Sequence, residues 1–311
     1  MKQKVVMIAG PTAVGKTEYS IKVAQNLGGE IVSADSMQIY RYMNIGSAKP
    51  TKKELSMARH YMVDEIDPRT PFSVAEYQKK AKEYIVRIFE KNALPIISGG
   101  TGLYVNSLIY DMNFSVVPEQ SSLRKRLQEE AITHGNAFIH GKLKAKDPKA
   151  ALRIHPNNVK KVIRALEILE SGETDVRKFE ESFVKTKDYS VILIGLNRNR
   201  DELYERINRR VDLLMKAGLL QEVQSLLDMG LTESNISMKG IGYKELIDYV
   251  HGASSLENAV EQIKKNTRHY AKRQLTWFRR YQEMQWFNLS EFKDTAKAEE
   301  AILNYIQHEI S

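Results

Sequence analysis

The sequence predicts an α/β fold, and three observations carry that prediction. Short apolar runs alternate with helical patterns in the N-terminal third. A glycine-rich loop follows the first run at once. A long helical stretch then interrupts the alternation before another apolar run appears. Together they describe a phosphate-loop NTPase-like doubly wound parallel sheet with a helical insert domain and a helical C-terminal region.

The expected strands are Val5–Ala9, Glu30–Ala34, His60–Val63, Leu94–Ser98 and Ser190–Leu196. Unbroken apolar runs of this length suit a parallel sheet covered on both faces. Crossovers should be right-handed, and ligands should gather at the carboxyl edge of the strands.

Gly10-Pro11-Thr12-Ala13-Val14-Gly15-Lys16-Thr17 follows the first strand and fits G-x-x-x-x-G-K-[ST] in full. Such a loop turns its backbone N–H groups inward onto phosphate oxygens, and the helix that follows adds its positive end. Tyr19, Val23 and Ala24 continue that helix. Lys16 is expected to reach the terminal phosphate and Thr17 to hold Mg²⁺. The chain therefore grips a diphosphate or a triphosphate.

Asp35, in Ser33-Ala34-Asp35-Ser36-Met37-Gln38, follows the second strand. It has three readings: help in holding Mg²⁺ through water, a general base, or a cap on the next turn. Gly99-Gly100-Thr101-Gly102-Leu103-Tyr104 follows the fourth strand. It reads either as a close approach of backbone to ligand or as a tight turn.

Between Leu94–Ser98 and Ser190–Leu196 the chain is far too long for a crossover loop. Leu123, Leu127 and Ala131, then Val159, Ile163, Leu166 and Leu169, recur at helical spacing. Residues 115–187 are expected to form the insert, and residues 1–114 with 188–311 the core. Asn157 or Asn158 is a candidate N-cap for a helix carrying Lys160, Lys161 and Arg164. That patch, and the one at Arg124, Lys125 and Arg126, reads equally as nucleic-acid contact or as a solvated face.

After the last strand the chain reads as mostly helical. Arg206 and Arg210 share a helix face beside the apolar stripe Leu203, Ile207, Val211 and Leu214. They would clamp a phosphate leaving group or pair with Glu202 and Glu205 at the surface. From Lys264 to Gln282 basic residues alternate with Tyr270, Trp277, Phe278 and Tyr281, with no Asp or Glu. Cations for phosphates and aromatics for bases are what single-stranded RNA loops require, although some of these aromatics belong to the core.

Composition limits the alternatives. The 311 residues hold no cysteine, which excludes disulfides, thiolate catalysis and cysteine-based zinc sites. The histidines show no H-E-x-x-H spacing. No apolar run approaches the roughly 18 residues that span a bilayer. The first strand begins too early to leave room for a signal peptide, so a cytoplasmic location is expected. Forty-seven Lys and Arg against 39 Asp and Glu give a net charge of +8, which points weakly toward nucleic acid.

Taken in order, these motifs resemble one family, the bacterial tRNA dimethylallyltransferases, also called isopentenyl-tRNA transferases. The resemblance runs through the phosphate loop, Ser33 to Tyr40, Ile45-Gly46-Ser47-Ala48-Lys49-Pro50 and Gly99 to Tyr104. It continues through Arg153 to Asn158, Arg164-Ala165-Leu166-Glu167, Gly240 to Glu245 and Ala271-Lys272-Arg273-Gln274-Leu275-Thr276-Trp277. It implies that dimethylallyl diphosphate donates its prenyl group to N6 of the adenine 3′ of the anticodon in tRNA. The diphosphate would sit in the phosphate loop, with Lys16, Mg²⁺ on Thr17, and Arg210 stabilising the leaving group. Asp35 would be the general base, and Thr101 would contact the target nucleotide. Ser36, Met37 and Gln38 would line the same entrance. Arg124 and the run Lys160, Lys161, Val162, Ile163 and Arg164 match tRNA-contact positions. Lys160 and Lys161 stand where relatives often carry Gln and Arg. Partners are then a tRNA anticodon stem-loop and the prenyl donor, with no membrane and a monomeric chain. Competing readings are an ATP-dependent small-molecule kinase, a prenyltransferase acting on free adenine nucleotides, and a non-catalytic RNA-binding switch.

Overall fold

The computed structural model describes residues 2–112, 114, 121–172 and 183–311. The expected start of the insert, 115–120, and its stretch 173–182 lie outside the described residues. The chain divides into two compact units: Met1–Ile109 with Thr186–Ser311, and Tyr110–Lys185.

The first unit begins with β1 (Lys4–Ala9), α1 (Lys16–Leu27), β2 (Gly29–Ser33), α2 (Lys52–Met57) and β3 (His60–Tyr61). Then come α3 (Val74–Glu90), β4 (Leu94–Gly99) and α4 (Gly102–Ile109). Thr51 and Ser73 cap α2 and α3 through full capping boxes with Glu54 and Glu76, each satisfying N–H groups that a helix start leaves open.

The second unit holds α5 (Ser121–His134), α6 (Asn136–Lys146), α7 (Pro148–Arg153) and α8 (Val159–Glu170). Its core is its own, built from Leu123, Leu127, Ile139, Leu143, Ala150, Val162, Ile163 and Leu166 among others. The first unit resumes with β5 (Ser190–Asn197), α9 (Arg200–Lys216), α10 (Leu219–Asp228) and α11 (Tyr243–Val250). It ends with α12 (Leu256–Phe278), β6 (Gln285–Asn288) and α13 (Thr295–Ile310).

The sheet is parallel throughout, in the order β3-β2-β4-β1-β5-β6. Val5, Val6, Ile8, Ile31, Ile96 and Ile194 are buried in it, as strands covered on both faces demand. Two details differ from expectation. β3 stops at Tyr61 because Met62 and Asp64 turn into the left-handed region, at φ 61° each. β6 lies in a stretch that read as helical; at four residues its signal is too short to stand out beside α12.

The register sets the site. Ala9 stands level with Gly99 and Gly195, and Ser33 with Ser98. The loops after β1, β2 and β4 therefore start at one height on the carboxyl edge.

Candidate active site

The phosphate loop closes over its own lysine. Lys16 donates to the carbonyls of Gly10 at 3.1 Å and Pro11 at 2.8 Å. Gly15 takes φ 118°, a conformation that side chains resist. Two arginines hold the outer rim: Arg206 Nε donates to Ala13 O at 2.9 Å and Arg198 Nε to Val14 O at 3.0 Å. Glu202, expected as a partner of Arg206, bonds Arg198 at 2.5 Å instead. Burial lowers the Lys16 pKa to about 8; Asp35 opposes that shift and Arg210 adds to it.

Asp35 uses one carboxylate oxygen to build its turn. Oδ1 accepts from the backbone N–H of Met37 at 2.9 Å and of Gln38 at 3.4 Å, so the capping reading holds for that oxygen. Oδ2 has no hydrogen-bond partner among the described residues. Thr101 joins this turn to the one after β4. Its hydroxyl accepts from Ser36 N–H at 3.0 Å, and its own N–H bonds Ala34 O at 3.1 Å.

α12 supplies Gln274, to which the sequence assigned no role, and Tyr270, which it offered as a base-stacking ring. Gln274, 5% exposed, accepts from Thr12 N–H at 2.9 Å and donates to Gly100 O at 2.8 Å. One amide thus ties the phosphate loop to the glycine turn. A Cβ at position 100 would stand 2.2 Å from its nitrogen, so a side chain there would push the amide off Gly100 O. One turn of helix earlier lies Tyr270. Burial first, then the Asp35 charge, push its phenol up to about 12, so it is a proton donor at neutral pH. A signal for Gln274 existed: Ile263, Ala271, Gln274 and Phe278 form the buried stripe of α12, and a polar group on such a stripe needs partners. Nothing local marks Glu222, whose carboxylate accepts from the N–H groups of Asn44, Ile45 and Gly46 and from Tyr243. It fixes the loop that carries Ser47 and Ala48.

Two cavities meet among these residues. One, of about 510 Å³, is lined by Thr12, Lys16, Thr17, Gln38, Glu54 and Arg206. The other, of about 430 Å³, is largely apolar, with walls from Tyr40, Tyr104, Val211, Ile236 and Ile263, and Ser36 and Met37 at its edge. Thr12, Asp35, Arg210 and Tyr270 line both. Arg210 makes no hydrogen bond among the described residues. Burial lowers its pKa, opposed by Asp35 and Glu54, yet a guanidinium stays charged. A larger cleft of about 710 Å³, lined by Lys2, Asn92 and Ser311, lies away from all of these groups. The arrangement suits a ligand with an anionic head and an apolar tail, next to a carboxylate oxygen free to take a proton.

The IPP transferase family model matches residues 38–281. The chain belongs to the IPP transferase family. A tRNA dimethylallyltransferase of Alkaliphilus oremlandii is 51% identical over 303 residues, 97% of either chain. One of Clostridioides difficile is 48% identical over 309 residues, 99% of either chain. Among solved structures, the full-length tRNA isopentenylpyrophosphate transferase of Bacillus halodurans superposes with a TM-score of 0.75 at 43% identity, covering 99% of this chain and 97% of that one. A eukaryotic dimethylallyltransferase described as acting on tRNA gives 0.82 at 26% identity, covering 98% and 80%.

The insert residues fall into two groups. Lys160 and Lys161 are exposed on α8. Arg124 makes a bidentate pair with Glu167, at 2.8 and 2.7 Å, and Arg164 reaches the same carboxylate at 3.2 Å. Val162 and Ile163, expected in the RNA-contact run, are 1% and 3% exposed, and their side chains pack in the insert core. Asn158 is the N-cap of α8, without a side-chain capping bond.

Proposed function

We propose that the chain transfers the dimethylallyl group of dimethylallyl diphosphate to N6 of the adenine 3′-adjacent to the anticodon in tRNA. The observation that carries this reading is Asp35, standing where the cationic and the apolar cavity meet. The diphosphate lies against the loop N–H groups and Lys16, and the prenyl tail turns into the apolar cavity. The target adenine leaves its stack and enters beside Ser36 and Met37; in a single-stranded loop that costs a few kcal/mol at most.

The bond from the prenyl C1 to the bridging oxygen breaks, and the bond from C1 to N6 forms. Diphosphate leaves with the electron pair, and the N6 proton passes to Asp35 Oδ2. An exocyclic amine is a poor nucleophile because its lone pair is delocalised into the ring, so a positioned base is worth about 10²–10⁴ in rate. Lys16 and Arg210 face the charge that grows on the leaving oxygen. Thr101 holds Ser36, and through it the adenine side of the turn.

The metal donors that line the phosphate cavity are oxygens, among them those of Thr17, Glu18, Asp35, Gln38 and Glu54. Among the described residues no three acids or histidines converge as a cage, and Mg²⁺ needs none, since it favours one or two protein oxygens with phosphates and water. Thr17 would hold it, and the ion would neutralise part of the diphosphate charge. Lys160 and Lys161 would hold phosphates of the anticodon stem-loop as point charges, with Arg124 and Arg164 placed by Glu167.

Incubation with dimethylallyl diphosphate, Mg²⁺ and tRNA, followed by mass spectrometry of anticodon-loop fragments, should show one added isoprene unit on the target adenosine. Prenylation of free AMP but not of tRNA, or phosphoryl transfer from ATP without prenylation, would overturn the reading.

A further inference from the structure

The glycine turn after β4 leads to Tyr104, a residue to which the reaction above gives no task. Tyr104 stands in the first turn of α4 and is 6% exposed. It lines the apolar cavity together with Asp35, Tyr40, Phe72 and Tyr270. Its ring lies flat on that of Tyr77 on α3, with centroids 3.7 Å apart and planes within 9°. Tyr77 covers one face, so only the other is left for the cavity. Tyr77 is itself fixed. It is fully buried, and its hydroxyl donates at 3.1 Å to the carbonyl of Ser33, two residues before Asp35. The two rings are thus anchored to the strand end that carries the proton acceptor.

The other rings of the cavity are placed differently. Arg273 already stands over Tyr270, 5.7 Å from its centroid. Tyr40 and Phe72 have no ring stacked behind them among the described residues. Burial, then Tyr40, Asp35 and Glu76, hold the phenol of Tyr104 protonated well above its ordinary range. The ring is therefore neutral and desolvated, and the charged groups that act on it are acids. The face of such a ring carries negative charge and attracts cations, more strongly away from water.

We propose that the free face of Tyr104 stabilises the positive charge that develops on the dimethylallyl group, and that the bond to the leaving oxygen breaks ahead of attack by N6. This rests on the transfer reading above and adds to it a catalytic residue and an order of events. The electron pair of the C1–O bond leaves with diphosphate, toward Lys16 and Arg210. The allylic group left behind shares one positive charge between C1 and C3, against the ring. The N6 lone pair then forms the C1–N6 bond, and the N6 proton passes to Asp35 Oδ2.

The test is a series at position 104 in the full chain, read in single turnover. Tyr104→Phe keeps the ring and drops the hydroxyl. Phenylalanines with one, two and three ring fluorines at this position keep the shape and drain charge from the face step by step. Tyr104→Leu removes the ring. The rate of Tyr104→Phe should stay within about twofold of wild type, since the face remains. The rate should then fall with each fluorine, to on the order of ten-fold below Tyr104→Phe at three, and Tyr104→Leu should lose roughly three- to thirty-fold. Donor KM, tRNA affinity and melting midpoint should stay level along the fluorinated series, in which packing is kept. A flat fluorine series overturns the assignment. A loss in Tyr104→Phe as large as in Tyr104→Leu gives the role to the hydroxyl and overturns it too. A graded change in tRNA affinity in place of rate makes the ring a stacking surface for the adenine, again against it. Should Tyr104→Leu fail to fold, the fluorinated series alone decides. Failure of the wild-type chain to prenylate tRNA overturns the transfer reading itself, and that is seen before any variant is made.

Discussion

Two clusters of buried charge in this molecule are built in opposite ways. In the insert, Glu167 is fully buried and closed: Arg124 takes both oxygens and Arg164 adds a third bond. In the core, Lys16, Asp35 and Arg210 are brought together and left open. Lys16 rests on loop carbonyls, Asp35 keeps one oxygen free, and Arg210 faces a cavity. Leaving charge desolvated without partners costs stability, and a fold keeps such groups where a ligand completes them. A satisfied buried charge holds a structure together; an unsatisfied one is a candidate site for a ligand.

The largest effect that tests this contrast is at Asp35. Asp35→Asn keeps the oxygen that caps the Met37 and Gln38 N–H groups and removes the proton acceptor. Turnover should fall by about 10²–10⁴, while the unfolding midpoint and tRNA affinity stay near wild type. Single-turnover kinetics beside thermal melts check both halves. Near-normal turnover would take Asp35 out of the reaction and leave it a turn residue only.

Glu167 should behave in the reverse sense. Glu167→Ala strands two arginines against the insert core and should cost about 3 kcal/mol, at the low end for a broken buried pair because both guanidiniums are partly exposed. The loss should show as earlier urea unfolding and faster proteolysis of residues 110–185, with the donor affinity of the core unchanged. If the insert unfolds as before, the bridge is a surface pair in effect and the contrast fails.

How much of this was legible in the sequence follows the range of each interaction. The phosphate loop, the Asp35 turn and the strand run before each are local, so residue spacing alone placed them. Gln274 bonds Thr12 across 262 residues, and Glu222 reaches Gly46 across 176; no window of sequence contains such a pair. Ile163 shows two signals in conflict. Its helical spacing with Val159 and Leu166 marked a core position, whereas resemblance put it in an RNA-contact run, and packing decided for the core. The basic runs are ambiguous in a related way, since sequence does not say which cations pair with acids. Among the described residues Arg124, Arg164 and Lys264 do, and Lys160, Lys161 and Lys272 do not.

The smallest effect concerns Lys16 and pH. In the free enzyme its pKa is lowered to about 8 by burial, with Asp35 opposing and Arg210 reinforcing. The charged form is the one that pairs with diphosphate, and it predominates below that value. As pH rises through about 8 the ammonium loses its proton, so kcat/KM for the donor should decline, by at most about tenfold per pH unit, because kcat/KM follows free-enzyme ionisations. A bound diphosphate favours the cation and raises its pKa. The falling limb of kcat should therefore lie at higher pH than that of kcat/KM. Lys16→Arg supplies a charge that does not titrate in this range, and even at reduced activity it should lose the limb near 8. If the limb persists in that variant, another group titrates there and the open lysine of the core is not the one that sets donor capture.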